Sequence, residues 1–321
     1  MTRMPAAAVA NMHEHIARSM YYFGVHLLYA SIVGAVAWLL TSIRGANATT
    51  KYWIWVATAS NFFVPVGAVI DKFLASQLTW ARPLGAIGGP IWDMTEGPRA
   101  VELAVIWVTG GFAMLMRLMW RIRKERREDR GAARSSEGSV TSGFIADGIP
   151  VSFDTRYHGP SVGGILWPHI FLPWGIDRLL DQREFDAVLL HELAHARRRD
   201  NLIRLLYEVS LCVLWFHPLL WLAGARMALY RELSCDESVI ARAQGQALVS
   251  ALAKLAAPEP SLFLQATATS HLSDRLAQLA ARPYAAHRPT SLILASLFAA
   301  VLAAGIFQTI AHTACCFFLK R

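Results

Sequence analysis

The chain has 321 residues, 55% of them hydrophobic and 17% charged, with a mean hydropathy of +0.34, a balance that points to the membrane and away from ordinary soluble domains. Its net charge of +8 is gathered behind one apolar segment and reads as a topology signal. It comes with no aromatic-interleaved basic patch and no Gly-rich phosphate loop, so no direct nucleic-acid partner is expected. The four cysteines are too few and too scattered for a disulfide framework.

Residues 1–20 form a short polar lead-in. From Ser19 to Ser42 there is no Asp, Glu, Lys or Arg, which predicts an uncleaved membrane helix over 20–42. A second span is expected over 52–70, with Trp53 and Trp55 suited to the interface. A loop rich in Gly, Pro and Trp, 71–98, leads to a third span over 100–120. Its charge-free core runs only from Leu103 to Met116, so Arg117 must snorkel. A basic linker, 121–142, follows. Six of the residues from Arg117 to Arg127 are Arg or Lys, against the single acid Glu125. The positive-inside rule puts this end in the cytoplasm, with the N-terminus outside and the 41–51 loop inside.

Short strands are expected at Gly143–Ala146, Val151–Asp154 and Gly164–Phe171, with Pro168 confining the last to a sheet edge. A helix over 182–199 opens on Asp181 and Glu184, which have capping-box spacing. Phe185, Val188, Leu189 and Leu193 give it one apolar face. Arg197, Arg198 and Arg199 load its last turn, where the helix dipole favours positive charge. Segments 200–216 and 218–243 read as a helical hairpin turned at Pro218, with Asp200 placed to cap the first arm. Helices at 245–256 and 271–281 and a final span at 291–311 complete the chain.

The chemistry lies in HELAH, 191–195. His191 and His195 stand i and i+4 on one helix face, where two imidazoles can share one Zn²⁺. Such a site needs a third protein ligand and an open position. Glu232, in RELSCDESV, is the candidate ligand. Asp236, one turn on, would accept the far N–H of a ligand histidine and fix its tautomer. The alternative is a charged helix face paired with Arg226 and Arg231. An ion held this way lowers the pKa of its bound water to ~7 and polarises a carbonyl, with Glu192 as general base. Glu232 and the histidines can converge only if 209–225 does not cross the membrane.

HELAHARRRDNL, WFHPLLW at 215–221 and RELSCDESV, together with GGILWPHIFLP at 163–173, resemble the integral-membrane zinc peptidases of the BlaR/MecR antirepressor type. These are gluzincins, with HExxH followed by a distant ExxxD. The resemblance implies a mainly α fold: four transmembrane helices, with a helical gluzincin-type zinc peptidase domain carrying a small β-sheet between the third and fourth spans. The expected units are a membrane domain at 1–120, the linker at 121–142, the peptidase domain at 143–285 and a C-terminal span and tail at 286–321.

It further implies one Zn²⁺ per chain, held by His191, His195 and Glu232 with Asp236 and Asp200 behind them, and a place in the bacterial inner membrane with the peptidase domain cytoplasmic. The expected partners are the lipid bilayer and a protein substrate, a cytoplasmic DNA-binding repressor, and a homodimer is a candidate assembly. Gly164, Ile165 and Leu166 would take substrate as an added strand, or else form a structural hairpin. His271 is the nominee for oxyanion stabilisation, with Tyr230 and Arg275 as rivals. Receptor members continue into a penicillin-binding sensor domain, whereas this sequence ends at Arg321, so their mode of β-lactam binding is not expected. Membrane-protein quality control and a non-catalytic adaptor are the competing functions.

Overall fold

A computed structural model describes residues 24, 26–43, 45–63, 98–135, 143–154, 157, 159–256, 275, 279 and 290–302. Four helices correspond to the expected spans: α1 (His26–Ser42), α2 (Ala48–Phe63), α3 (Pro98–Ser135) and α9 (Thr290–Leu302). Hydroxyls in α1 and α2 bond back to their own helix, Thr41 to the Ala37 carbonyl at 2.7 Å and Thr58 to that of Ile54 at 2.8 Å. These two hydroxyls are thereby satisfied without water.

Among the described residues one helix is long and apolar enough to cross a membrane: Glu102–Lys124 within α3, with a mean hydropathy of 1.6 and 6% of its window buried. α1 and α9 are shorter apolar helices, and α2 is described from Ala48 to Phe63. Within the expected basic linker, residues 121–135 are helical, because α3 continues unbroken to Ser135. Arg, Lys and Glu favour helix, and no proline interrupts them.

The sheet has the order β1-β2-β4-β3, from β1 (Gly143–Ala146), β2 (Ile149–Asp154), β3 (Ser161–Gly163) and β4 (His169–Pro173). β1 and β3 run antiparallel to their neighbours, and β2 pairs parallel with β4. The expected strand over Gly164–Phe171 does not form. Gly164 has φ +79°, and a Cβ there would lie 2.1 Å from the Trp167 carbonyl oxygen, so the chain turns and returns as a hairpin. β4, which Pro168 precedes, is internal, and the edge belongs to β3.

The short helix α4 (Ile176–Leu179) leads into α5 (Gln182–Arg198), which opens on the expected capping box between Asp181 and Glu184. Arg199, in the left-handed region at φ 55°, separates α5 from α6 (Asp200–Val213). Asp200 does not cap α6 as expected: it is the first helical residue, and its side chain points into the site. Pro218 opens α7 (Pro218–Ile240), where its missing N–H costs nothing. α8 spans Gly245–Ala256.

The α6–α7 hairpin reaches deep into the bundle. At its turn, the His217 ring lies 4.6 Å from that of Phe62 at the far end of α2, tilted by 55°. Trp107 of α3 donates to the Val213 carbonyl at 2.7 Å. Close approach depends on Gly111, where a Cβ would sit 2.8 Å from the Cys212 carbonyl oxygen. Two cores result. One joins α1, α2, α9 and the hairpin around Tyr52, Trp55, Leu214 and Leu220. The other joins the sheet to α5 and α8 around Ile170, Leu172, Val188 and Leu248. α7 enters both, through Leu220 and Val239.

Candidate metal centre

α5 presents His191 and His195 from one face, one turn apart. Their Nε2 atoms lie 3.2 Å from each other. α7 brings Glu232 Oε2 to 3.6 Å from the first and 3.7 Å from the second. Ligand atoms ~2.0–2.2 Å from one tetrahedral ion stand about 3.3–3.6 Å apart, and the three observed edges lie close to that range. Two imidazole nitrogens and a carboxylate oxygen are a donor set suited to a divalent transition metal, so the residues fit the ion. The charged-face alternative holds for the other oxygen alone, because Glu232 Oε1 accepts from Arg231 at 3.0 Å and 3.1 Å.

Both histidines are oriented from behind by carboxylates. His195 Nδ1 lies 2.6 Å from Asp200 Oδ2. His191 Nδ1 lies 3.0 Å from Asp236 Oδ1, off the line of a well-directed hydrogen bond. Asp236 is fully buried and receives Arg275 through two bonds of 2.9 Å. Asp200 receives Arg198 Nε at 2.6 Å and a terminal guanidinium nitrogen at 2.7 Å.

Burial by itself would lower both imidazoles, but their carboxylates outweigh it. Asp236 and Glu232 hold His191 up at about 9, and Asp200, Cys235 and Glu232 raise His195. Burial would likewise raise Glu232, yet the two histidines and Arg231 hold it well below the usual carboxylate range. Asp200 and Asp236 are depressed against their burial by the cation and histidine each one faces. The surrounding carboxylates thus favour positive charge at the centre of the pocket, and a metal ion bound there would displace the imidazole protons.

Glu192 is buried on α5 beside His191, and its negative charge helps to raise Arg275 against the effect of burial. Gly164, Ile165 and Leu166 lie in the β3–β4 turn of a hairpin and not in a strand, with Ile165 and Leu166 exposed. Tyr230 is buried with its hydroxyl 3.5 Å from the Thr41 carbonyl oxygen, which takes it away from the oxyanion role. His271 lies outside the described residues. Cys235 is buried behind His195, its sulfur 3.2 Å from Arg198.

Two residues here escape sequence reasoning. Arg198 is hidden by its membership of a triple-arginine run that the helix dipole already explains. Tyr52 lies more than a hundred residues from HELAH, and nothing in its local sequence marks it.

Residues 22–279 match the sequence profile of the BlaR1 peptidase M56 family. The chain belongs to this family. It is therefore a member of the BlaR/MecR type, and the family assignment implies a metallopeptidase with a metal cofactor. The chain is similar to the methicillin resistance mecR1 proteins of Staphylococcus aureus and Staphylococcus epidermidis, at 27% identity over 148 residues, covering 43% of this chain and 25% of each relative. It is also similar to the regulatory protein BlaR1 of Bacillus licheniformis, at 37% identity over 81 residues, 25% of this chain and 13% of that protein. The match thus spans a quarter or less of these relatives' length.

Proposed function

We propose that this M56 family member is a zinc-dependent endopeptidase of the inner membrane that signals by cutting a cytoplasmic DNA-binding repressor. The observation that carries the peptidase reading is the convergence of His191, His195 and Glu232, from two helices, within ligand distance of one another. The mecR1 and BlaR1 names of its relatives support the signalling role.

His191, His195 and Glu232 would hold the zinc, which when bound would lower the pKa of a water to ~7 and polarise a peptide carbonyl. Glu192 would serve as the general base for that water and would return a proton to the leaving amine. Asp200 and Asp236 hold the two imidazoles with Nε2 inward. Arg275 binds Asp236 through Nε and Nη2 while its Nη1 lies 3.8 Å from Glu232 Oε2, so His271 is the nominee to face the developing oxyanion with Arg275 as its rival. An extended peptide docks on β3, the edge strand whose Val162 carbonyl Asn201 fixes at 2.8 Å, by backbone pairing.

The membrane placement rests on the exposed apolar face of α3, from Leu103 to Trp120, and on the hairpin beside it. Arg121 of α3 pairs with Glu208 of α6, and Trp107 bonds to Val213. The two α3 positions are about 21 Å apart along the helix. This favours a hairpin that lies among the four spans with its turn directed inward and the metal centre at the cytoplasmic face. The bond between Ala48 and Glu237 favours the 41–51 loop on the peptidase side, with the N-terminus outside.

The test compares protein N-termini in cells carrying wild type or Glu192→Gln. A new N-terminus in one repressor, absent in the variant, is expected. Many new termini in misfolded membrane proteins would instead indicate quality control, and identical sets would overturn the peptidase.

A further inference from the structure

We infer that Tyr52, on the second turn of α2, is a positioning residue of the metal centre, acting on His195 through Asp200. The inference rests on the zinc reading above. It concerns a residue from the membrane bundle, outside every motif that marks the site.

The Tyr52 hydroxyl donates to Asp200 Oδ1 at 3.1 Å, on the carboxylate whose other oxygen receives His195 Nδ1 at 2.6 Å. Tyr52 and Asp200 are both buried, so this contact is protected from water. A buried phenol must place its O–H somewhere, and here it reaches a carboxylate and not a backbone carbonyl. The ring contributes as well. The Arg198 guanidinium, the other partner of Asp200, lies 4.3 Å from the centroid of the Tyr52 ring, within cation–π range.

Thr49, one turn before Tyr52 on the same face, extends the contact. Its hydroxyl is 2.9 Å from Ser234 Oγ, which accepts from Arg198 at 2.7 Å. Asp200 therefore has four donor contacts. His195 and Arg198 come from the metal helix and Tyr52 from α2, with Arg198 itself held to α7 through Ser234, the Arg231 carbonyl and Cys235. Among the described residues His191 has no such link: its carboxylate, Asp236, is held by Arg275. The two ligand histidines thus differ in their support, and His195 is the one coupled to the spans. A displacement of α2 relative to α5 would alter the set of the His195 ring without any contact between α2 and the ion.

Tyr52→Phe isolates the hydroxyl, because it keeps the ring under Arg198 and the packing of the bundle. The full chain is purified in detergent, and its zinc affinity is measured by chelator competition for wild type, Tyr52→Phe, Asp200→Asn and the double variant, with Ser60→Ala as a control on α2. Cobalt spectra in place of zinc report the ligand geometry. Tyr52→Phe should weaken zinc about tenfold, in the range seen for groups that support a metal ligand, and shift the cobalt bands. It should add little to Asp200→Asn, since both act through one carboxylate. Ser60→Ala should match wild type. Unchanged affinity and spectra in Tyr52→Phe, or an effect that adds in full to that of Asp200→Asn, would overturn the inference. A wild-type chain that takes up no zinc would overturn the zinc reading itself.

Discussion

Glu237 accepts the backbone N–H of Ala48 at 2.6 Å, and with its other oxygen the N–H and the hydroxyl of Thr49, each at 3.0 Å. The helix that delivers Glu232 to the histidines therefore also closes the N-terminus of α2, alongside the Asn47 cap on the Thr50 N–H at 2.9 Å. The two cores are joined at the metal centre by these bonds, and the joint can be tested by substitution.

Glu237→Ala removes an anion from a helix N-terminus and leaves donors there unsatisfied. The expected loss is about 1–2 kcal/mol of stability, with Glu237→Gln losing less because it keeps an acceptor. Denaturant midpoints of the purified chain check both.

Asp236→Asn weakens the grip on His191 and leaves Arg275 without its counter-charge. Zinc affinity should fall by about 10–100-fold while zinc stoichiometry at saturation is kept. Chelator competition measures the first and metal content after reloading the second.

Gly111→Ala places a Cβ 2.8 Å from the Cys212 carbonyl oxygen. Backbone cannot swing aside as a side chain can, so α3 and the hairpin must separate. Overpacking of this kind costs about 1–3 kcal/mol, read as a lower thermal midpoint. Ala113→Gly, two residues on, should have no comparable steric effect.

Glu184 gives a pH dependence of definite sign. Lys254 at 2.6 Å and Ser250 at 2.5 Å, then the Asp181 N–H, hold its carboxyl down at about 2 against an ordinary value of 4.5. A depressed folded-state value means that the ionised form is favoured by folding. The stabilisation is complete above the ordinary value and is lost as pH falls towards about 2. The stability gap between wild type and Glu184→Gln should therefore shrink steadily across that window, as followed by urea midpoints.

Local signals carried far in this chain. Asp181 and Glu184 announce α5, Pro218 announces the hairpin turn, and the i, i+4 spacing of His191 with His195 and of Glu232 with Asp236 fixes which side chains converge. Failure came where the deciding interaction is distant or conformational. The strand over Gly164–Phe171 reads as continuous because the apolar residues carry the pattern, while the left-handed turn at Gly164 is a backbone choice that apolar periodicity does not register. Arg198 and Tyr52 earn their places only through partners across the fold. Asp200 looks like a helix cap by position, yet its carboxylate is drawn to His195 by a stronger, charge-assisted bond.

The most direct test of the metal centre is the zinc content of the full chain, purified without chelators, for wild type, Glu192→Gln, His191→Ala, His195→Ala and Glu232→Ala. One zinc per chain is expected in wild type and in Glu192→Gln, and none in either histidine variant, with Glu232→Ala binding weakly. Stoichiometric zinc in both histidine variants, or none in wild type, would contradict the account.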